Sequence, residues 1–260
     1  MASSDKAAQA RAKAKANVKA QERRTTLIIV TGIVVAIAVF GGLVAFILSQ
    51  NSSLDEIGSG AEGSPANSLP SGGIPVGSSG VAGEIDDNDP VVVDLYFDFM
   101  CPYCNFFEQI NAADMDELRE AGDIQVNYHP IAILDAYSNG TNYSTRSANA
   151  AAVIADQAPE YFVPFVSAMF ANQPEEGSDG LSDDEIAQIA VNVGVPSDVA
   201  DTFSNYEFRA WVAAATDQSS IDGVSGTPTM AVGGEIVNQE DVSYFGEGTV
   251  RAYLEELAAQ

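Results

Sequence analysis

Cys101 and Cys104 are the only cysteines in a chain of 260 residues, and they stand three positions apart in Cys101-Pro102-Tyr103-Cys104. Two thiols at that spacing support four kinds of chemistry. A structural disulfide is the first, but chain entropy gives little stabilisation to a bridge that closes so short a loop. Zinc is the second, but a tetrahedral site needs four ligands, and the chain adds no cysteine and one histidine, His129. Copper(I), held by two thiolates in an extracytoplasmic domain, is the third. A reversible dithiol–disulfide centre is the fourth, and the flanking residues favour it.

Those residues supply a mechanism. Val91 to Phe99 is β-branched and aromatic apart from Leu95, Asp94 and Asp98, the pattern of a central strand covered on both faces. Cys101 to Ala121 reads as a helix with an apolar stripe of Phe106, Phe107, Ile110, Met115 and Leu118, stopped by Gly122. A strand ending near Met100 puts Cys101 in the first helical turn, where unpaired N–H groups and the helix dipole stabilise a thiolate. Pro102 suits the first helical position, where no N–H is needed. Cys101, at the exposed edge, is then the attacking thiol. Cys104, one turn along and more buried, resolves the mixed disulfide. Asp98 is the nearest acid, either a proton relay to Cys104 or a strand-end carboxylate. His129, before Pro130, is either a proton partner or a structural histidine.

The elements that must position this pair follow in order. Ile124 to Leu134 contains a second strand. From Tyr143 to about Ile221 the pattern is helical: Ser144–Gln157, Pro159–Ala171, and a helix after the capping box Ser182-Asp183-Asp184-Glu185. Pro196-Ser197 opens one further helix through Phe203, Tyr206, Phe208, Trp211 and Val212, whose aromatics read as core. Gly223 to Pro228 breaks the helices. Thr229–Val232 and Glu235–Val237 form a hairpin about Gly233-Gly234, and Thr249–Ala259 closes as an amphipathic helix.

Charge and hydropathy set the compartment. The net charge of -26 comes from 37 acids and 11 bases, and seven of the bases fall before residue 25. Beyond Arg24 there are 35 acids against four arginines, a balance near -31 that repels nucleic acid. Residues 27–48 are an uncharged apolar run of about 33 Å as a helix, against a hydrocarbon core of about 30 Å. With the basic residues on its N-terminal side, residues 1–26 form a cytoplasmic basic tail, 27–48 a transmembrane signal anchor, and the remainder lies outside the cell. The run is too long, and its flank too poor a cleavage site, for a cleaved signal peptide. Residues 49–87 read as a flexible linker, since Gly, Ser and Pro fill 19 of the 33 positions from Asn51 to Gly83. The folded domain is then 88–260, with a helical insertion at about 141–221.

Phe97 to Cys104, FDFMCPYC, followed by Gly226 to Thr229, GTPT, resembles the DsbA-like thiol–disulfide oxidoreductases, and more narrowly their membrane-anchored actinobacterial-type branch. The resemblance runs from about residue 88 to 260. It implies an α/β thioredoxin-like fold with an inserted helical domain and no cofactor. It also implies a cis proline at Pro228, preceded by Thr227, in a loop that faces the cysteines and pairs with extended substrate. The implied activity is disulfide formation in newly exported, cysteine-containing polypeptides, with reoxidation by a quinone-linked membrane partner. Reductase or isomerase activity is the alternative within the family. Two departures bear on redox tuning. Tyr103 stands where strongly oxidising members often carry histidine, and Leu95 stands where thioredoxins keep a buried acid.

Overall fold

The computed structural model describes residues 63–260. The basic tail, the apolar run 27–48 and the first part of the linker lie outside the described residues. Among the described residues no helix is long and apolar enough to cross a membrane.

Five strands form one sheet in the order β1-β3-β2-β4-β5: β1 Ile74–Val76, β2 Val91–Phe97, β3 Ile124–Pro130, β4 Thr229–Val232 and β5 Glu235–Ile236. β2 and β3 are parallel, with Leu95 opposite Tyr128 and Tyr96 opposite His129, and the other pairings are antiparallel. The alternation of β2 sends Val93, Leu95 and Phe97 into the main core, while Tyr96 joins Ile131 and Val224 on the other face. Every residue of β3 is buried, as its central place between β1 and β2 requires.

Helix α1, Pro102–Glu120, connects β2 to β3. Its buried positions are Cys104, Phe107, Asn111, Met115 and Leu118, spaced three and four apart, with Arg119 buried beside the last. That face differs from the stripe read in the sequence. Phe106 lies off it and is exposed, because the side chain one position along from Phe107 points about 100° away.

The helical insertion follows β3. It comprises α2 Tyr143–Gln157, α3 Phe162–Ala171, α4 Asp183–Asn192, α5 Ser197–Ala200 and α6 Arg209–Ile221. The alanine-rich α2 is its centre, with Ala148 and Ala150 through Ala155 fully buried. Both halves of the capping box at Ser182 and Glu185 are formed. The single helix expected after Pro196 is not continuous. A 3-10 turn at Phe203–Asn205 and a left-handed Tyr206 separate α5 from α6. The buried side chain of Asn149 on α2 stabilises this break: it donates to the Phe203 carbonyl at 3.1 Å and accepts from the Phe208 N–H at 2.9 Å. Backbone groups freed by the break are thereby satisfied. Helix α7, Thr249–Ala258, ends the chain and ties to α1 through Arg251, which bonds Asp114 and Glu117.

The linker reading fails from Gly63 onward. Ile74 and Val76 are fully buried in β1, paired with Tyr128 and Val126. The Asn67 side chain donates to the Ala155 carbonyl at 2.7 Å, and the Ala82 N–H to the Pro159 carbonyl at 3.1 Å. Gly, Ser and Pro are here the residues of tight turns against an edge strand. Pro75 is tolerated because an edge strand has a side that needs no donor. A Cβ on Gly73 would sit 2.7 Å from His129 Nε2, so glycine is what lets this segment lie on the sheet.

Candidate active site

The strand ends at Phe97, three residues bend, and α1 begins at Pro102, which leaves Cys101 as N-cap with extended backbone. Pro102 is the first helical residue, where the missing N–H costs nothing. Cys101 and Cys104 are both free thiols. Cys104 is buried, as expected. Cys101 is also covered, with 5% of its surface exposed, so it is less open than an edge position implies.

What covers Cys101 comes from 126 residues away. Its thiol donates to the Thr227 carbonyl oxygen at 3.2 Å, and the Thr227–Pro228 peptide is cis. Thr227 Oγ1 is buried and has no hydrogen-bond partner of its own. It is the donor available to Cys101 in the thiolate form.

Their surroundings shift the two thiols in opposite directions from the ordinary value. Hydrogen bonding from the Cys104 thiol is the largest influence on Cys101. With Thr227 and the backbone N–H groups of Cys104 and Tyr103, it outweighs burial and brings Cys101 down to about 6. Burial, and then the neighbouring Cys101, push Cys104 well above the ordinary thiol range. A thiol that ionises readily beside one that holds its proton is the division of labour that exchange requires.

Tyr103 contributes through its amide. The residue is 62% exposed, and its ring centroid lies 6.5 Å from that of Phe106 and 6.0 Å from that of Phe245. Asp98 is fully buried beneath the loop. Its carboxylate accepts from the Met100 N–H at 2.8 Å, the Leu134 N–H at 2.9 Å and the Ser144 hydroxyl at 2.7 Å. Burial pushes it up to about 7 despite these bonds, and the Cys101 charge adds to the rise. None of its three bonds goes to Cys104, so the carboxylate braces the loop beside Cys101. His129 is bonded to Asp94 at 2.9 Å and stacked on Tyr96, and is engaged there instead of with either sulfur.

Residues outside the motif complete the site. Gln173, in the polar loop after α3, donates to the carbonyls of Phe99 at 3.0 Å and Cys101 at 2.9 Å. With Ser144 it stitches the helical insertion to the cysteine loop at two points. Tyr244 holds the hairpin that carries Pro228: its hydroxyl accepts from the Met230 N–H at 3.0 Å and donates to the Val237 carbonyl at 2.8 Å. Asn111 of α1 donates to the Tyr244 carbonyl at 2.8 Å. Polar residues at these places carry no motif, and only the three-dimensional contacts identify them. Among the described residues no group of three or more His, Cys, Asp or Glu side chains is arranged to hold a metal ion.

A parallel strand–helix–strand unit with a dithiol at the helix start and a cis proline against it defines a thioredoxin-fold dithiol protein. Residues 84–247 match the thioredoxin family model Thioredoxin_4, more than half of the chain. The chain belongs to the thioredoxin family, and within it is DsbA-like.

Solved structures with this fold include MdbA, a thiol-disulfide oxidoreductase from Actinomyces oris, at TM-score 0.62 and 22% identity, over 76% of this chain and 91% of that one. Oxidised DsbA of Mycobacterium tuberculosis matches at TM-score 0.60 and 28% identity, over 72% of this chain and 93% of that one. Reduced DsbG of the same organism matches at TM-score 0.59 and 26% identity, over 72% and 88%. The serine/threonine-protein kinase PknE of Mycobacterium tuberculosis is 32% identical over 163 residues, 60% of this chain. The chain spans 29% of the length of that relative.

Proposed function

We propose that this DsbA-like oxidoreductase introduces disulfides into newly exported, cysteine-containing polypeptides outside the cell, using Cys101 and Cys104. The observation that carries the reading is Cys101 at the helix start set against the cis Thr227–Pro228 loop with Cys104 buried behind it, an arrangement that lowers the first thiol and raises the second.

In the oxidised enzyme a substrate thiolate attacks Cys101 Sγ, the Cys101–Cys104 bond breaks, and Cys104 leaves as a thiolate that takes up a proton. A second substrate thiolate then attacks the substrate sulfur of the mixed disulfide and releases Cys101 as a thiolate. Two electrons pass from substrate to enzyme, and a membrane quinone-linked partner takes them in turn. Thr227 and Pro228 present the loop backbone beside the mixed disulfide, where an extended substrate can add as a strand.

The low Cys101 value favours release of substrate as disulfide. A thiol brought from 9.0 to about 6 is mostly ionised at neutral pH, which stabilises the reduced enzyme by roughly tenfold, about 30 mV at most. The apolar run 27–48 and the basic residues before it support a membrane-anchored protein with its catalytic domain outside.

The test is equilibration of the full-length protein with glutathione, together with trapping by Cys104→Ser. A potential well above that of cytosolic thioredoxin and trapped mixed disulfides with exported proteins are expected. A thioredoxin-like potential points to a reductase. Tight copper(I) binding without exchange points to a metal-handling module.

A further inference from the structure

The carbonyl oxygen of Cys101 draws more donors than it has lone pairs. The Gln173 side chain donates to it at 2.9 Å, the Cys104 N–H at 3.1 Å and the Asn105 N–H at 3.4 Å. A carbonyl has two lone pairs, so one of the three is surplus. Both amides belong to the first turn of α1. Gln173 comes from the helical insertion, 72 residues away, and makes the shortest of the three bonds.

Gln173 is held in place from both sides. Its own N–H bonds the Phe170 carbonyl at 3.1 Å, just beyond the end of α3. The Phe170 ring packs on Phe99 of the cysteine loop with centroids 5.3 Å apart, and the Gln173 side chain also donates to the Phe99 carbonyl at 3.0 Å. Further along the same loop, the Asn139 side chain donates to the Gly177 carbonyl and to Asp179, each at 3.0 Å. Little side-chain entropy remains to be lost in keeping the amide on the Cys101 carbonyl.

We propose that Gln173 is a positioning residue for Cys101: by occupying the Cys101 carbonyl it releases the Cys104 N–H to turn toward Cys101 Sγ when that sulfur is a thiolate. The role sits within the exchange reading above. A hydrogen bond to an ionised acceptor is about twice as strong as a neutral one, so an amide released from the carbonyl moves to the sulfur. The Cys104 thiol does most to lower Cys101 to about 6, against burial, and the Cys104 N–H adds to it. Without Gln173 the carbonyl holds that N–H more tightly, and the thiolate loses part of a donor. The titratable groups acting with Cys101 are Cys104 of α1 and Asp98 of the loop before it. The hairpin side faces it with Thr227, which is uncharged, and Glu175 and Glu176, two and three residues after Gln173, are exposed.

The experiment compares full-length wild type with Gln173→Met, which keeps the side-chain length and removes the donor, and with Gln173→Glu, which puts an acceptor there. Thiolate absorbance against pH reads Cys101, and equilibration with glutathione from pH 4.5 to 8 reads the balance of dithiol and disulfide. In Gln173→Met the Cys101 midpoint should rise by about 0.5–1 pH unit, part of the worth of one hydrogen bond to a charged group. The glutathione equilibrium should shift toward the enzyme disulfide by about threefold to fivefold at pH 7, and hardly at all below about pH 5, where neither protein holds a thiolate. Gln173→Glu should move both readouts further in the same direction. An unmoved midpoint in both variants would overturn the role. So would an equilibrium shift of equal size at every pH, which is what a purely structural brace produces. The midpoint is read without an exchange partner, so the two readings fail separately. A wild type inert toward glutathione whose midpoint still responds to Gln173→Met overturns the exchange reading and keeps the Gln173 role. An exchange-active wild type with unmoved midpoints in the variants overturns the Gln173 role alone.

Discussion

The Cys101 thiol and the Thr227 carbonyl, 126 residues apart in sequence, are joined by a 3.2 Å hydrogen bond. The same residue that accepts from the thiol holds a buried hydroxyl with no other partner. Thr227 can therefore serve both protonation states, through its carbonyl for the thiol and its hydroxyl for the thiolate. Replacing it by valine keeps the shape and removes only the second service. Thr227→Val should raise the Cys101 titration midpoint by about one pH unit, the worth of one charge-assisted hydrogen bond. Thiolate absorbance in the ultraviolet, followed against pH, measures it, and an unmoved midpoint would count against the role.

The wild-type midpoint itself should lie near 6. The folded value is below the unfolded one, so the contribution to stability of the reduced protein is complete above about 9 and is lost as pH falls through about 6. Denaturant unfolding of reduced wild type minus reduced Cys101→Ser should show a difference that grows with pH across that window. A flat difference would mean that Cys101 is not depressed.

Asp98 runs the other way. Its folded value is raised to about 7 from 3.8, so its contribution is complete below about 4 and is lost as pH rises through about 7. Asp98→Ala should remove that slope and leave the Met100 and Leu134 N–H groups and the Ser144 hydroxyl without their acceptor. The cost should be about 3–5 kcal/mol in urea unfolding at neutral pH. Reciprocity with the Cys101 charge adds a second readout: wild-type Asp98 should hold its proton to higher pH in the reduced protein than in the oxidised one, seen in the infrared carboxyl stretch.

Tyr103 acts through its backbone N–H while its ring lies outward on Phe106 and Phe245. Tyr103→Ala should therefore leave the Cys101 midpoint within about 0.3 of wild type, because every substitution but proline keeps the amide. Capture of unfolded substrate should weaken instead, since the exposed aromatic surface is cut back. A large shift of the midpoint would return the tuning role to the phenol.

Residues 63–83 belong to the fold. A protein starting at Glu84 should be less stable than one starting at Gly63 by at least about 3 kcal/mol, the burial of Ile74 and Val76 at roughly 1.5–3 kcal/mol each. Comparable urea midpoints for the two would restore the tether reading for this segment.

The sequence by itself marked the dithiol and most of the order of elements from β2 onward. Two cysteines at a strand-to-helix junction, a proline after the first, and a ligand count too small for zinc are local facts. So are the β2–α1–β3 unit, the capping box at Ser182 and the Gly233-Gly234 hairpin, because hydrophobic period and turn chemistry are written along the chain.

Tertiary structure decided what depends on partners far away in sequence. Composition made 63–83 look like a tether, since three apolar residues between turns become a strand only when the edge of β3 is there to receive them. The break between α5 and α6 depends on Asn149, some 55 residues earlier. Asp98 read as the acid nearest the pair, but its bonds to Leu134 and Ser144 made it a brace. Gln173 had no motif to mark it. A hydrogen bond is a relation between two positions in space, and one dimension records only the residues that could take part in it.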